Sequence, residues 1–244
     1  MIKKGTNNLS NCDFHTGETI LIDKPMDWTS FDVVNKIRSA IGVKKVGHAG
    51  TLDPKATGLL IICTGKKTKE ISQFQDLEKT YSGSILLGMK SESMDLETEL
   101  VGSHDLSSIK EDDIYNASKS FVGSIKQIPP MYSAIKHKGK SLYNFARKGK
   151  TIDLQPREVT IKRFDILKIN LPYINFEITC SKGTYIRSIA NDLGEMLGCG
   201  AVLYSLRRIA IGNFFVDDAL LISEFVQLLK GQKSLNEKVL NEIN

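Results

Sequence analysis

The sequence predicts an α+β fold on a largely antiparallel sheet, and three observations lead there. Strand-like and helix-like stretches mix without regular β-α-β alternation, which disfavours a purely parallel sheet. Two long strand-like runs, 158–169 and 174–180, flank Leu171-Pro172-Tyr173 as a hairpin-like pair. The apolar run Leu59-Leu60-Ile61-Ile62-Cys63, bounded by Gly58 and Gly65, reads as a core strand.

The elements follow in order. Residues 1–17 are polar and are expected to form a flexible N-terminal segment. Residues 19–23 read as a short strand stopped by Lys24-Pro25. Thr29-Ser30 offers a helix N-cap, and Phe31, Val33, Val34, Ile37 and Ile41 recur at helical spacing up to Gly42, the usual residue just past a helix. Lys66-Lys67-Thr68-Lys69 form a basic cluster on a short helix. Residues 79–88 read as a strand with Tyr81, Gly83, Ile85 and Leu87 on one face. An acidic segment at 91–99 precedes a helix over 112–122. After Ser181-Lys182-Gly183-Thr184 a helix carries Tyr185, Ile186, Ile189, Leu193 and Leu197. Residues 201–215 read as one strand, 218–229 as a last amphipathic helix and 231–244 as a polar tail. No repeat or linker divides the chain, so 18–230 is expected to be one domain.

The totals bound the function class. A chain of 244 residues holds a sizeable core without disulfide staples. A net charge of +5 suits a polyanionic partner without requiring one. Cys12, Cys63, Cys180 and Cys199 include no C-x-x-C pair, and His15, His48, His104 and His137 are too scattered for a metal motif. Cys63 and Cys180 lie in apolar runs and read as buried thiols. The start lacks the apolar core of a secretory signal, and no apolar run has transmembrane length, so a cytoplasmic protein off the membrane is expected. A phosphate-binding loop ending at Gly65-Lys66 would need glycine at 60 and a hydroxyl residue at 67, where the chain has Leu60 and Lys67. Gly198-Cys199-Gly200 lacks the third glycine of a dinucleotide fingerprint.

The chain is organised around Gly47-His48-Ala49-Gly50-Thr51-Leu52-Asp53-Pro54-Lys55-Ala56-Thr57-Gly58. Pro54 holds Asp53 out of the helical region, so its carboxylate belongs on an irregular loop attached to the following strand. An aspartate there can act as nucleophile or base, with an arginine such as Arg187 to keep it ionised. A plain Asp-Pro turn is the competing reading. Tyr185 and Arg187 share a face only if that turn is extended, and core packing competes for Tyr81 and Tyr185. Between Lys136 and Lys150 stand six Lys or Arg and no acid, with Tyr132, Tyr143 and Phe145 in or beside them. Cations interleaved with aromatics suit an RNA backbone with stacked bases, and a solvated charged face is the alternative.

These residues resemble the bacterial tRNA pseudouridine synthase B family. The Gly47–Gly58 stretch resembles its signature, and Ile22-Asp23-Lys24-Pro25 its first strand and Lys-Pro motif. Lys79-Thr80-Tyr81 resembles its tyrosine motif, and Ile128-Pro129-Pro130-Met131-Tyr132-Ser133-Ala134 with Gly139-Lys140-Ser141-Leu142-Tyr143 its central segment. Cys180-Ser181-Lys182-Gly183-Thr184-Tyr185-Ile186-Arg187 and Leu206-Arg207-Arg208 complete the series over about residues 18–230.

The resemblance implies the pseudouridine synthase fold and isomerisation of the tRNA T-loop uridine at position 55, with neither cofactor nor metal. It implies that Asp53 is the essential aspartate, by attack at C1′, removal of a C2′ proton or, in the older proposal, addition to C6. It makes Tyr81 the tyrosine stacked on the base and Arg187 the arginine paired with the aspartate. Tyr185 and Leu206 match pocket residues, and His48 the histidine that fills space vacated in the T-loop. Lys24 and the insertion residues Lys136, Lys140 and Arg147, within about 128–156, are expected to bind the RNA, with tRNA as the partner of a monomer. Two departures stand out. The family's Thr-Asp-Thr-x-Asp is here Ser91-Glu92-Ser93-Met94-Asp95, and the PUA domain of many members is expected to be missing, which implies weaker tRNA affinity. The competing function is an RNA-binding, tRNA-folding module whose catalysis is dispensable.

Overall fold

A computed structural model describes residues 1–102 and 105–231. In chain order come β1 (Thr19–Lys24), α1 (Ser30–Ile41), β2 (Val46–His48), β3 (Ala56–Thr64), α2 (Ile71–Asp76), β4 (Lys79–Leu87), α3 (Glu111–Ser120) and β5 (Gly123–Gln127). Then follow β6 (Lys136–His137), β7 (Lys140–Ser141), α4 (Leu142–Ala146), β8 (Arg157–Asn170), β9 (Tyr173–Cys180), α5 (Ile186–Met196), β10 (Ala201–Ile211), β11 (Phe214–Phe215), β12 (Leu220–Leu221) and α6 (222–231). The described residues form two units, one of residues 1–79 with 207–231, the other of residues 80–102 with 105–206. Strand β10 contributes residues to both.

In the first unit the strand order is β12-β1-β3-β10, with β2 also on β3 and β11 on β10. β1 runs antiparallel to β3, pairing Lys24 with Gly58, and parallel to β12, pairing Ile22 with Leu220. One core cluster takes Ile20, Ile22, Leu60 and Ile62 together with Val33, Val34 and Ile37 of α1 and Phe225 of α6. The other takes Leu21, Leu59, Ile61 and Cys63 with Ile211 and Val216. Residues of alternate parity along β1 and β3 thus enter different clusters, which is why the apolar run does not alternate with polar residues. Helix α1 starts at a capping box: the Asp32 N–H donates to Thr29 Oγ1 at 3.0 Å, and the Thr29 N–H to Asp32 Oδ2 at 2.8 Å. It ends at Gly42, whose φ of 71° few side chains would adopt.

In the second unit the order is β10-β4-β9-β8-β5, and β8 is antiparallel to both β9 and β5. Phe121, Phe164 and Phe176 stack edge to face in series, with centroids 6.0 and 5.9 Å apart. Strands β6 and β7 form a small separate hairpin. The expectation of an α+β fold on a mixed, largely antiparallel sheet with flanking helices holds.

Three expectations need correction. Residues 1–17 are docked, not a free polar segment: Ile2 and Leu9 are buried in the first core, and Ile2 bridges Ile20. The strand expected over 201–215 turns back at Gly212-Asn213 to make β10 and β11, and the final helix starts only at 222, after β12. All of the expected tail after Gly231 lies outside the described residues.

Candidate active site

In the first unit, Asp53 is half-buried on the irregular segment between β2 and β3, as its Pro54 neighbour demands. Neighbouring side chains fix this loop on both sides of the carboxylate. Ser30 Oγ accepts from the Leu52 N–H at 2.9 Å and donates to the Leu52 carbonyl at 3.2 Å. The Pro54 carbonyl accepts from the Asp27 N–H at 2.9 Å and from Lys24 Nζ at 3.3 Å. Arg208, only 1% exposed, donates from Nε to the Leu59 carbonyl at 2.8 Å and from Nη2 to the Gly50 carbonyl at 3.1 Å, so one guanidinium ties both ends of the loop. Gly58, inside β3, permits this approach. A Cβ there would lie 2.3 Å from the Arg208 carbonyl oxygen, and its φ is +105°.

Lys24 differs from its expected role as an RNA contact. It is 0% exposed, and its ammonium also donates to the carbonyls of Trp28 at 2.6 Å and Pro25 at 2.8 Å. A lysine consumed by backbone carbonyls cannot reach a phosphate, so it shapes the loop instead. Burial pulls its pKa down to about 8, against the opposing fields of Asp53 and Asp27. His48 closes β2 opposite Ile62. Its Nδ1 is buried with no hydrogen-bond partner of normal geometry. Burial lowers its pKa, the Gly50 backbone offsets part of the fall and Arg208 adds to it, so the site favours the neutral imidazole. Asp23 holds Arg207 in a bidentate pair at 3.0 and 2.7 Å.

In the second unit, Tyr81 is buried on β4 and Leu206 is half-buried on β10. Tyr185 is the extended residue before α5, at φ −100° and ψ 108°, and Arg187 is the second residue of that helix. The chain is extended at Tyr185 and helical from Ile186 on. The Gln127 side chain brackets Tyr185, accepting from its N–H at 2.8 Å and donating to its carbonyl at 3.1 Å. Arg187 is 3% exposed. It donates from Nη1 to the Ser93 carbonyl at 3.0 Å and from Nη2 to the Tyr132 carbonyl at 2.7 Å, and its Nε lies 3.6 Å from Asp95 Oδ2. Lys136, Lys140 and Arg147 are exposed on the insertion, available to a polyanion.

The sequence reading missed Asp95, Gln127 and Arg208 as site residues. Asp95 stands in the acidic segment with nothing local to set it apart, and its partner is 92 positions away. Gln127 precedes two prolines and carries no local signal. Arg208 follows Arg207, and adjacent arginines look equivalent although one is buried and the other is 40% exposed at the side chain. Among the described residues no group of three or more His, Cys, Asp or Glu could hold a metal ion, and no helix is long and apolar enough to cross a membrane.

Known proteins place this arrangement. The profile of the TruB family pseudouridylate synthase N-terminal domain matches residues 38–186, and that of the tRNA pseudouridylate synthase B C-terminal domain matches 187–243. The tRNA pseudouridine synthase B of Chloroherpeton thalassium is 50% identical over 222 residues, covering 89% of this chain and 92% of the relative. That of Phocaeicola vulgatus is 45% identical over 236 residues, covering 94% and 100%. Among solved structures, a Cbf5-Nop10-Gar1 complex aligns with a TM-score of 0.68 at 28% identity, and an H/ACA RNP bound to a substrate RNA containing 2′-deoxyuridine with 0.65 at 26%. Each covers 88% of this chain, which spans about half of the solved chains (54% and 53%). With the Asp53 loop and both matched domains in register along most of its length, this chain belongs to the TruB family of pseudouridylate synthases.

Proposed function

We propose that the protein isomerises one uridine of tRNA, the T-loop uridine at position 55, to pseudouridine, with Asp53 as the acting carboxylate. The reaction breaks the N1–C1′ bond, turns the uracil and forms C5–C1′. The proton lost from C5 is balanced by one gained at N1, so no redox partner is called for. The observation that carries this reading is the Asp53 loop itself, a half-buried carboxylate whose backbone is pinned at Gly50, Leu52, Pro54 and Leu59. A carboxylate held before the substrate arrives has little reorganisation left to undergo in the transition state. All three routes from the family resemblance use that same group. Tyr81 stacks on the uracil, as the resemblance implies, and Arg187 is the arginine that the resemblance assigns to the reaction. His48 enters the T-loop, Tyr185 and Leu206 line the pocket, and Lys136, Lys140 and Arg147 take phosphates as the enzyme works as a cytoplasmic monomer.

The test is tritium release from an unmodified tRNA transcript labelled at C5 of its uridines. Wild type should release one tritium per tRNA, and a transcript with cytidine at position 55 should release none. Asp53→Ala should release none from either. Undiminished release by Asp53→Ala overturns the assignment of the carboxylate.

A further inference from the structure

The acidic segment and the basic insertion are joined by two side-chain bonds that the proposed reaction does not explain. Tyr132 Oη donates to Glu92 Oε2 at 3.1 Å, and Tyr143 Oη donates to Glu97 Oε1 at 2.5 Å. The two tyrosine rings meet edge to face, 5.7 Å apart at 88°, so the bonds brace one another. The Arg147 guanidinium lies 5.9 Å from the Tyr143 ring centroid. A phenol on a carboxylate is a charge-assisted bond, roughly twice as strong as a neutral one. Both phenols are held in the protonated form: Tyr143 first by its bond to Glu97, Tyr132 first by burial and then by Glu92.

The position of these bonds matters more than their strength. Arg187 takes one carbonyl from each joined segment, Ser93 from the acidic one and Tyr132 from the insertion. Ser93 and Asp95 lie between Glu92 and Glu97, so the two bonds straddle the arginine's cage. The Glu97 N–H also donates to Asp95 Oδ1 at 2.9 Å, and the Tyr143 N–H to the Ser133 carbonyl at 3.1 Å, which ties each bond into the backbone beside Arg187. Glu92 stands where the family pattern has an aspartate, one methylene shorter.

We propose that Glu92 and Glu97 are positioning residues for the isomerisation. Through Tyr132 and Tyr143 they clip the RNA-binding insertion in the placement that keeps the Tyr132 carbonyl on Arg187. This rests on the reading of the protein as a tRNA uridine isomerase. The clips act on the arginine's geometry, so their loss belongs in the rate of the bound complex rather than in affinity.

The test compares three double variants of the full chain: Tyr132→Phe/Tyr143→Phe, Glu92→Ala/Glu97→Ala, and Glu92→Gln/Glu97→Gln, which keeps an acceptor oxygen and removes the charge. Single-turnover tritium release is measured at saturating tRNA, and tRNA Kd at matched salt. The Phe and Ala pairs should each slow the bound-complex rate about tenfold with Kd within about threefold of wild type, and the Gln pair should retain most of the rate. Limited trypsin digestion supplies a readout independent of activity: cleavage at Lys136, Lys138, Lys140, Arg147, Lys148 and Lys150 should accelerate in the Phe and Ala pairs. Rates within twofold of wild type in all three pairs overturn the proposal. So does tighter tRNA binding by the Ala pair at unchanged rate, which would make the carboxylates a repulsive gate. A wild type that releases no tritium sinks the isomerase reading instead, and unchanged trypsin cleavage in every pair then still refutes the clips.

Discussion

Gly58 meets the backbone of Arg208 so closely that a side-chain carbon at 58 would lie 2.3 Å from the Arg208 carbonyl oxygen and 2.7 Å from its nitrogen. The contact joins β3 to the residue whose guanidinium closes the Asp53 loop. Gly58→Ala must push β10 away while also holding φ at +105°. We expect a loss of about 3 kcal/mol, read as a lower urea midpoint at unchanged m-value. Pseudouridine formation should fall further than stability does, because the displaced arginine releases Gly50 and Leu59.

Lys24 makes stability rise with pH on the alkaline side. Its folded pKa of about 8 lies below the ordinary 10.5, so between these values the unfolded chain holds a proton that the folded chain has released. The full shift corresponds to about 3 kcal/mol, gained as pH climbs from 8 to 10.5. Cys63, pushed up to about 11 by burial, works in the opposite sense above pH 9. Urea unfolding of wild type and Lys24→Met in parallel separates the two: wild-type stability minus variant stability should increase from pH 7.5 to pH 10. A flat difference would mean that the ammonium is not desolvated.

His48 gives the complementary acid-side effect. Its pKa is lowered, so as pH falls below 6.5 the unfolded chain protonates first and stability declines. The NMR titration of its ring proton should have its midpoint below 6.5. His48→Gln should remove part of the stability loss between pH 6.5 and pH 5. A midpoint above 6.5 would contradict the buried, unpaired Nδ1.

Asp95→Ala removes a buried partner from a buried guanidinium and should cost about 3 kcal/mol in urea unfolding. Arg163 is the control. It pairs with Asp165 at 2.9 Å and with Glu177, but its side chain is 53% exposed, so Arg163→Ala should cost only about 1 kcal/mol.

What could be read from the chain alone was local. Thr29, Asp32 and Gly42 mark both ends of α1 by chemistry within a few residues, and the apolar run at 59–63 is recognisable because β3 is buried on alternate residues of both parities. The Asp53 loop was legible because a proline, glycines and a following strand are all adjacent to it. What escaped depends on distant partners. Leu220-Leu221 became a strand only because β1 accepts it, and the same residues satisfy a helical pattern in isolation. Lys24 looked like a free cation because the carbonyls that consume it belong to a turn and to Pro54, thirty positions on. The N-terminal residues looked mobile because the ones that dock, Ile2, Leu9, Cys12 and Phe14, are scattered among polar neighbours and make no periodic signal.

The pairing of Ile22 with Leu220 has a consequence for synthesis. Roughly 200 residues separate these partners, and at about 5–20 residues per second a ribosome needs roughly 10–40 s to deliver the second after the first. Residues 80–206 are contiguous and can close on themselves during that interval. The unit that carries Asp53 cannot, since β10 and β12, which complete it, emerge last. On the ribosome the carboxylate is therefore made early and its loop secured late, when Arg208 and then Leu220 leave the exit tunnel.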